Sequence, residues 1–355
     1  MKSTAVVLAN GRYRTVNGKT AHGLVRGTSR FHLVAVVDPD CAGADAGELL
    51  DGVHRGIPVV SSIPEAMASA AERPAYCIVG MATHGGRFTD ELRKLLLEAV
   101  HAGMSLVNGL HDYASDDPDI AAAAQAQGVA IIDLRKPPPK HELHFWTGQI
   151  RHVGAPRVAV LGMDCAIGKR TTTRLLVDAL NAANIKAEMI YTGQTGWMQG
   201  ARYGFVLDSV VNDYVSGELE HAIVSCDRAV QPDVMILEGQ SSLRNPSGPC
   251  GAEFLLSGGA RGVILQHAPG RKFFEGYEQR VLRIPSIGDE IELIGFYGAC
   301  TLAVTLHGEG LSGEALAHTQ CRLGQRLGVP VVCPLTEGVA ELVPVVQRFI
   351  EQERT

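Results

Sequence analysis

Residues 158–173, VAVLGMDCAIGKRTTT, run from an apolar stretch into a glycine-bounded loop carrying Lys169 and three threonines, and RLLVDALNAA follows at helical spacing. A strand, a glycine loop and a helix start in that order make a phosphate cradle, because backbone N–H groups converge there and the helix dipole favours anions. The residues expected to line it are Gly162, Asp164, Cys165, Ala166, Ile167, Gly168, Lys169, Arg170, Thr171 and Thr172. The alternative is a glycine turn that merely joins strand to helix.

The spacing departs from the standard P-loop, which has four residues between its glycines and a Ser or Thr directly after the Lys. Here five residues separate Gly162 from Gly168, and Arg170 follows Lys169. The loop resembles that of the dethiobiotin synthetase branch of P-loop proteins, whose GTDTEVGKT-like sequence carries an aspartate where Asp164 stands. The hydroxyl that would hold Mg²⁺ must then be Thr171 or Thr172, or be absent. A second strand in such proteins ends in an acidic residue beside the loop, and Glu238 in VMILEGQSSL is that candidate, as metal ligand or as orienter of a nucleophile.

Outward from the loop, 355 residues exceed one ordinary core and fit two domains. With 46% hydrophobic, 20% charged and 5% aromatic residues and 40 glycines, the chain reads as globular α/β. In the first half, TAVVLAN, FHLVAVVDPD, IPVV, AYCIVGM, SLVNGL and VAIIDLR alternate with helical stretches such as TDELRKLLLEAVHAG, which predicts a Rossmann-like open sheet over residues 1–137. Asp38 ends a strand where a ribose-binding acid would stand, yet no GxGxxG accompanies it. This half is also similar in pattern to the CoA-binding domain of succinyl-CoA synthetase. Three consecutive prolines mark residues 138–156 as a linker, and a P-loop NTPase-like parallel sheet is expected over 157–355.

A formal charge of −6 and the lack of a Lys/Arg run argue against nucleic acid as a partner. No 18 apolar residues run together and the start lacks a cleavable leader pattern, so no membrane span is expected and cytoplasmic residence is the default. The eight cysteines show no zinc spacing, and no metal site is assigned beyond Thr171 and Glu238 should Mg²⁺ be used. Cys165, at a helix start, is open to a reactive or a structural reading.

Further candidates sit after strands, where open α/β sheets bind ligands. YTGQTGWMQG, at residues 191–200, offers Gln194 and Thr195 to a pocket; HAPGRKFFEGY offers Arg271; MATHGGRF offers Arg87, and NGLHDY offers His111. Asp213 is a candidate metal ligand, base or helix cap.

Together KTAHGLVRG, MATHGGR, NGLHDYASDDP, GMDCAIGKRTT, YTGQTGWM, ILEGQSSL and HAPGR resemble, over nearly the whole chain, a family once described only as P-loop proteins, whose characterised branch is the D-glutamate N-acetyltransferases. The resemblance implies acetyl transfer from acetyl-CoA to the amine of D-glutamate or a related amino acid, in D-glutamate catabolism beside an enolase-superfamily enzyme. The loop and Lys169 would grip the phosphates of CoA, Glu238 or Asp213 would be the base, Arg271 or Arg87 would hold substrate carboxylates, and amides of residues 193–200 would serve the oxyanion. A homo-oligomer is expected, as is common for α/β enzymes. The competing reading is an ATP/Mg²⁺-dependent carboxylate-amine ligase or kinase-like enzyme, and a third is a nucleotide or CoA sensor without catalysis.

Overall fold

The computed structural model describes residues 2–354. The chain divides into two compact units, one of residues 1–138 with 194–201, the other of 139–193 with 202–355.

The first unit contains β1 (Ser3–Leu8), α1 (Lys19–Arg26), β2 (Phe31–Val37), α2 (Ala46–Asp51), β3 (Val59–Val60), α3 (Ile63–Ser69), β4 (Tyr76–Val79), α4 (Asp90–His101), β5 (Ser105–Asn108), α5 (Pro118–Gln127) and β6 (Ile131–Asp133). The strands pair in the order β3-β2-β1-β4-β5-β6, all parallel. This is the doubly wound order, with its reversal between β1 and β4. The helices start where short polar side chains replace missing partners: Thr89 accepts from the Leu92 amide ahead of α4, and Asp117 accepts from the Asp119 and Ile120 amides ahead of α5, whose Pro118 fits the first turn. Val6, Val7 and Leu8 of β1 are fully buried, as expected for a strand covered by helices on both faces.

Asp38 does not stand ready for a ribose. Its carboxylate is fully buried and accepts hydrogen bonds from the amides of Tyr13 (2.9 Å) and Asp40 (3.0 Å), so it fixes the turns that follow β1 and β2.

The second unit contains β7 (Arg157–Gly162), α6 (Lys169–Ala182), β8 (Ala187–Tyr191), β9 (Tyr203–Gly204), α8 (Asn212–Val230), β10 (Val234–Glu238), α9 (Ala252–Leu256), β11 (Gly262–His267), α10 (Ile287–Phe296), β12 (Cys300–Leu306), α11 (Gly313–Leu327), β13 (Val331–Val332) and α12 (Leu342–Glu353); α7 (Gln194–Met198) is the short helix between β8 and β9. Its sheet, in the order β13-β12-β11-β7-β10-β8-β9, is also parallel throughout. β7 lies in the middle, flanked by β11 and β10, so the loop that follows it opens between two further strand ends.

Residues 191–200, read as a glycine-rich stretch after a strand, divide between the two units. From Gln194 onward they form α7, which packs into the first unit: Met198 is fully buried, the Gln199 amide side chain donates to the Gly23 carbonyl (2.7 Å), and the Arg30 guanidinium lies 4.0 Å from the Trp197 ring centre. The proline-bearing segment after residue 138 packs within the second unit. The buried carboxylate of Glu220 on α8 accepts from the Thr147 amide (2.6 Å), the Thr147 hydroxyl (2.8 Å) and the Ile150 amide (3.0 Å). Among the described residues no helix is long and apolar enough to cross a membrane.

Candidate functional site: a phosphate loop with a buried acid

β7 delivers Gly162 to the sheet edge, and the chain then turns through Ala166 at φ +54° and Gly168 at φ +100° before α6 begins at Lys169. Gly168 suits that left-handed position because it has no Cβ; alanine at 166 adopts it at about 1 kcal/mol. Alternating right- and left-handed backbone of this kind turns successive N–H groups to one side, which makes an anion-binding nest. Among the described residues, the amides of Ala166, Gly168 and Lys169 donate to no protein acceptor, so the donors that a bound anion would use are available. The Ile167 side chain is fully buried in the core and contributes only backbone to the nest.

Lys169 is buried, and its ammonium donates to the carbonyls of Asp164 (2.6 Å) and Ser241 (2.8 Å). Burial pulls its pKa below the ordinary lysine range. Ser241 follows β10 with φ +40°, a left-handed non-glycine, and its hydroxyl lies 3.5 Å from the Cys165 sulfur. The half-buried Cys165 thiol is also 3.7 Å from the Asn245 amide nitrogen, so it is knitted between the phosphate loop and the turn after β10.

Asp164 holds the loop's shape. Fully buried, it accepts from its neighbour's amide at Cys165 (2.7 Å), from Asn245 (3.3 Å), from the Glu275 amide (2.9 Å) and from Arg271 (2.8 Å). Arg271 also donates to the Cys165 carbonyl (2.9 Å) and to Glu309 (2.6 Å). The guanidinium expected to hold a substrate carboxylate is therefore engaged by Asp164 and Glu309 and braces the loop.

Glu238 ends β10 in register with Val160 of β7 and is buried. Its Oε2 accepts from the Thr192 (3.0 Å) and Gly193 (3.3 Å) amides. Burial pushes its pKa above the ordinary glutamate range, against the opposing pull of those amides and of the Arg170 and Lys169 charges. The field of both cations at this carboxyl group joins the acidic strand end to the phosphate loop electrostatically.

Of the three threonines, Thr172 is buried with its hydroxyl donating to Gln266 (2.6 Å), and Thr173 donates to the Lys169 carbonyl (2.9 Å). Thr172 thus holds α6 to β11 and does not face a ligand, leaving the half-buried Thr171 as the hydroxyl for a metal. Among the described residues no three His, Cys, Asp or Glu side chains gather to hold a metal ion. Asp213 is exposed in the first turn of α8 and makes no hydrogen bond or ion pair with the Glu238 cluster.

Gln194, Thr195 and Arg87 belong to the first unit. Arg87 is exposed; the Thr195 hydroxyl lies 3.3 Å from that of Thr20; and Gln194 lines a cavity with Lys19, His111 and Arg135. Sequence reasoning passed over Lys19, although its place at the start of the helix after β1 is a recognisable ligand position in doubly wound sheets. For Ser241 and Asn245 the sequence carries no spacing signal.

Comparison with known proteins matches both halves to one family. The model described as the P-loop domain of DUF1611, a domain of unknown function, matches residues 144–343, and that described as its Rossmann-like N-terminal domain matches 39–137. A D-glutamate N-acetyltransferase from Tritonibacter scottomollicae is 29% identical over 290 residues, covering 79% of this chain and 83% of the relative. Another from Pseudoalteromonas sp is 28% identical over 278 residues, 75% and 79% of the two chains. A crystal structure of a DUF1611 family protein from Anabaena variabilis superposes with a TM-score of 0.88 at 27% identity, over 98% of this chain and all of that one.

Proposed function

Because this chain belongs to the DUF1611 family, with a Rossmann-like unit ahead of a P-loop unit, we propose that it transfers an acetyl group from acetyl-CoA to the amine of D-glutamate or a related amino acid. The observation that carries the donor side is the loop itself: open amides and a lysine suited to phosphates, with Arg170 in the metal-holding position and Thr172 tied to Gln266. Such a loop grips the phosphates of CoA without requiring metal-assisted hydrolysis.

In the proposed reaction the neutral amine attacks the thioester carbonyl, the C–N bond forms, and the C–S bond breaks to release CoA thiolate. Glu238 takes the proton that the amine loses, either directly or through one water, and the thiolate is protonated from solvent. The raised pKa of Glu238 suits it to that exchange, since a base titrating closer to the working pH both accepts and returns a proton readily. The kcat profile is therefore expected to rise with pH through a value above the ordinary carboxylate range. Glu238→Gln should remove that rise and lower kcat by about 100-fold; a profile that the substitution leaves unchanged sends the base role elsewhere.

The nucleotide reading keeps one observation in its favour, the half-buried Thr171 hydroxyl on the helix that begins at Lys169. Thr171 and Glu238 are the residues that Mg²⁺ would use there. Incubating the protein with D-glutamate and either acetyl-CoA or ATP/Mg²⁺, while following free thiol and ADP, separates the two. Thiol release dependent on D-glutamate is expected, and ADP without thiol would overturn the acetyltransferase assignment.

A further inference from the structure

The first unit has a cavity of about 150 Å³ beyond the carboxyl ends of β4 and β5, lined among others by Lys19, Thr20, Thr83, His111, Arg135 and Gln194. Its place is where doubly wound sheets take ligands, beside the reversal of strand order between β1 and β4. Lys19 opens α1, and its ammonium makes no ion pair or hydrogen bond among the described residues. The Arg135 Nε donates to the Gly109 carbonyl (2.7 Å), which fixes the plane of a half-buried guanidinium. Gly109 in turn lies under Gln194, where a Cβ would stand 2.8 Å from the Gln194 Cγ, so a side chain at 109 would displace that of Gln194.

Charge and size narrow the occupant. Among the described residues Lys19 and Arg135 line the cavity and no aspartate or glutamate does. Two cations favour a ligand with two negative groups, and a planar guanidinium matches a carboxylate through two parallel N–H donors. The volume equals about five liquid waters. That suits a small amino acid and falls well below the roughly 300 Å³ at which cofactor-sized pockets begin. Hydroxyls of Thr20 and Thr83 and the Gln194 amide supply acceptors for an ammonium or amine group.

We propose that this cavity is the binding site for a small dicarboxylate amino acid, with Lys19 and Arg135 each taking one carboxylate and Gln194 meeting the amine. The identification of that ligand as the acyl acceptor rests on the acetyltransferase reading above, whereas the anion site does not. The test is calorimetric titration of the whole protein with D-glutamate, with and without free CoA, for the wild type, Lys19→Gln, Lys19→Arg and Arg135→Gln.

Wild-type binding is expected to weaken about tenfold or more in Lys19→Gln and Arg135→Gln and to be largely retained in Lys19→Arg, and D-2-aminobutyrate, lacking the second carboxylate, should bind about tenfold more weakly to the wild type. Lys19 is exposed, so its variants report on binding even if Arg135→Gln lowers stability. No D-glutamate binding under either condition, unchanged affinity in Lys19→Gln, or inorganic phosphate binding more tightly than D-glutamate would overturn the proposal. The thiol assay separates the two readings. Thiol release with an unaltered KM for D-glutamate in Lys19→Gln removes this site and leaves the transfer reaction standing. Absence of thiol release, with D-glutamate binding lost in Lys19→Gln, removes the transfer reaction and leaves the site.

Discussion

Lys169→Ala is expected to lower kcat/KM for acetyl-CoA by about 1,000-fold while leaving the melting temperature within a few degrees of the wild type. On the proposed reading the buried lysine would neutralise phosphate charge, where a charge-assisted contact is worth more than in solvent. Its protein partners include the carbonyls of Asp164 and Ser241, which a bound donor would replace with phosphate oxygens. Because the ammonium is buried and its pKa is lowered, the folded protein loses little when it is removed; what disappears is the grip on the ligand. Steady-state kinetics with a melting curve check this, and a loss below tenfold would mean that the loop does not hold the donor.

The loop and Glu238 are legible in the sequence because their signals are local. An apolar run, glycines, a lysine and a helical pattern within twenty residues fix a strand, a nest and a helix start, and VMILEG fixes a second buried strand with an acid at its end. Both parallel sheets follow from the same alternation. What the sequence hides are partnerships closed over long stretches of chain. Arg271 reads as a basic residue on a glycine loop, and nothing nearby in sequence says that its partner is Asp164, 107 positions away. Thr172 reads as a spare hydroxyl until Gln266, 94 positions on, receives it. Gln194 and Thr195 read as part of the 157–355 half, whereas burial of Met198 and the contacts of Trp197 make their helix part of the first unit. Asp38 likewise has the position of a ribose acid, and only the Tyr13 amide, 25 residues upstream, reveals a structural role.

Arg271→Ala should destabilise the second unit by about 3 kcal/mol, because it withdraws the guanidinium that pairs directly with a carboxylate that has no exposure to solvent. Asp164 keeps the amides of Cys165 and Glu275 and the side chain of Asn245, which holds the loss at the lower end of the range for broken buried pairs. The Glu309 contact adds little, since that carboxylate is 40% exposed. A unit of this size should then melt roughly 6–12 °C lower. Removing both charges, as Asp164→Asn with Arg271→Gln, should recover part of that loss, because no buried charge is left alone. The variants also separate the two roles for the guanidinium. A bracing arginine raises the Kd for CoA and lowers stability together, through the shape of the nest, and Arg271→Lys fails to rescue because a point charge cannot span Asp164, the Cys165 carbonyl and Glu309. An arginine that holds the acceptor would instead raise the KM for D-glutamate alone, with melting and CoA binding unchanged. Differential scanning calorimetry with CoA titration and acceptor kinetics on the four proteins decides between them.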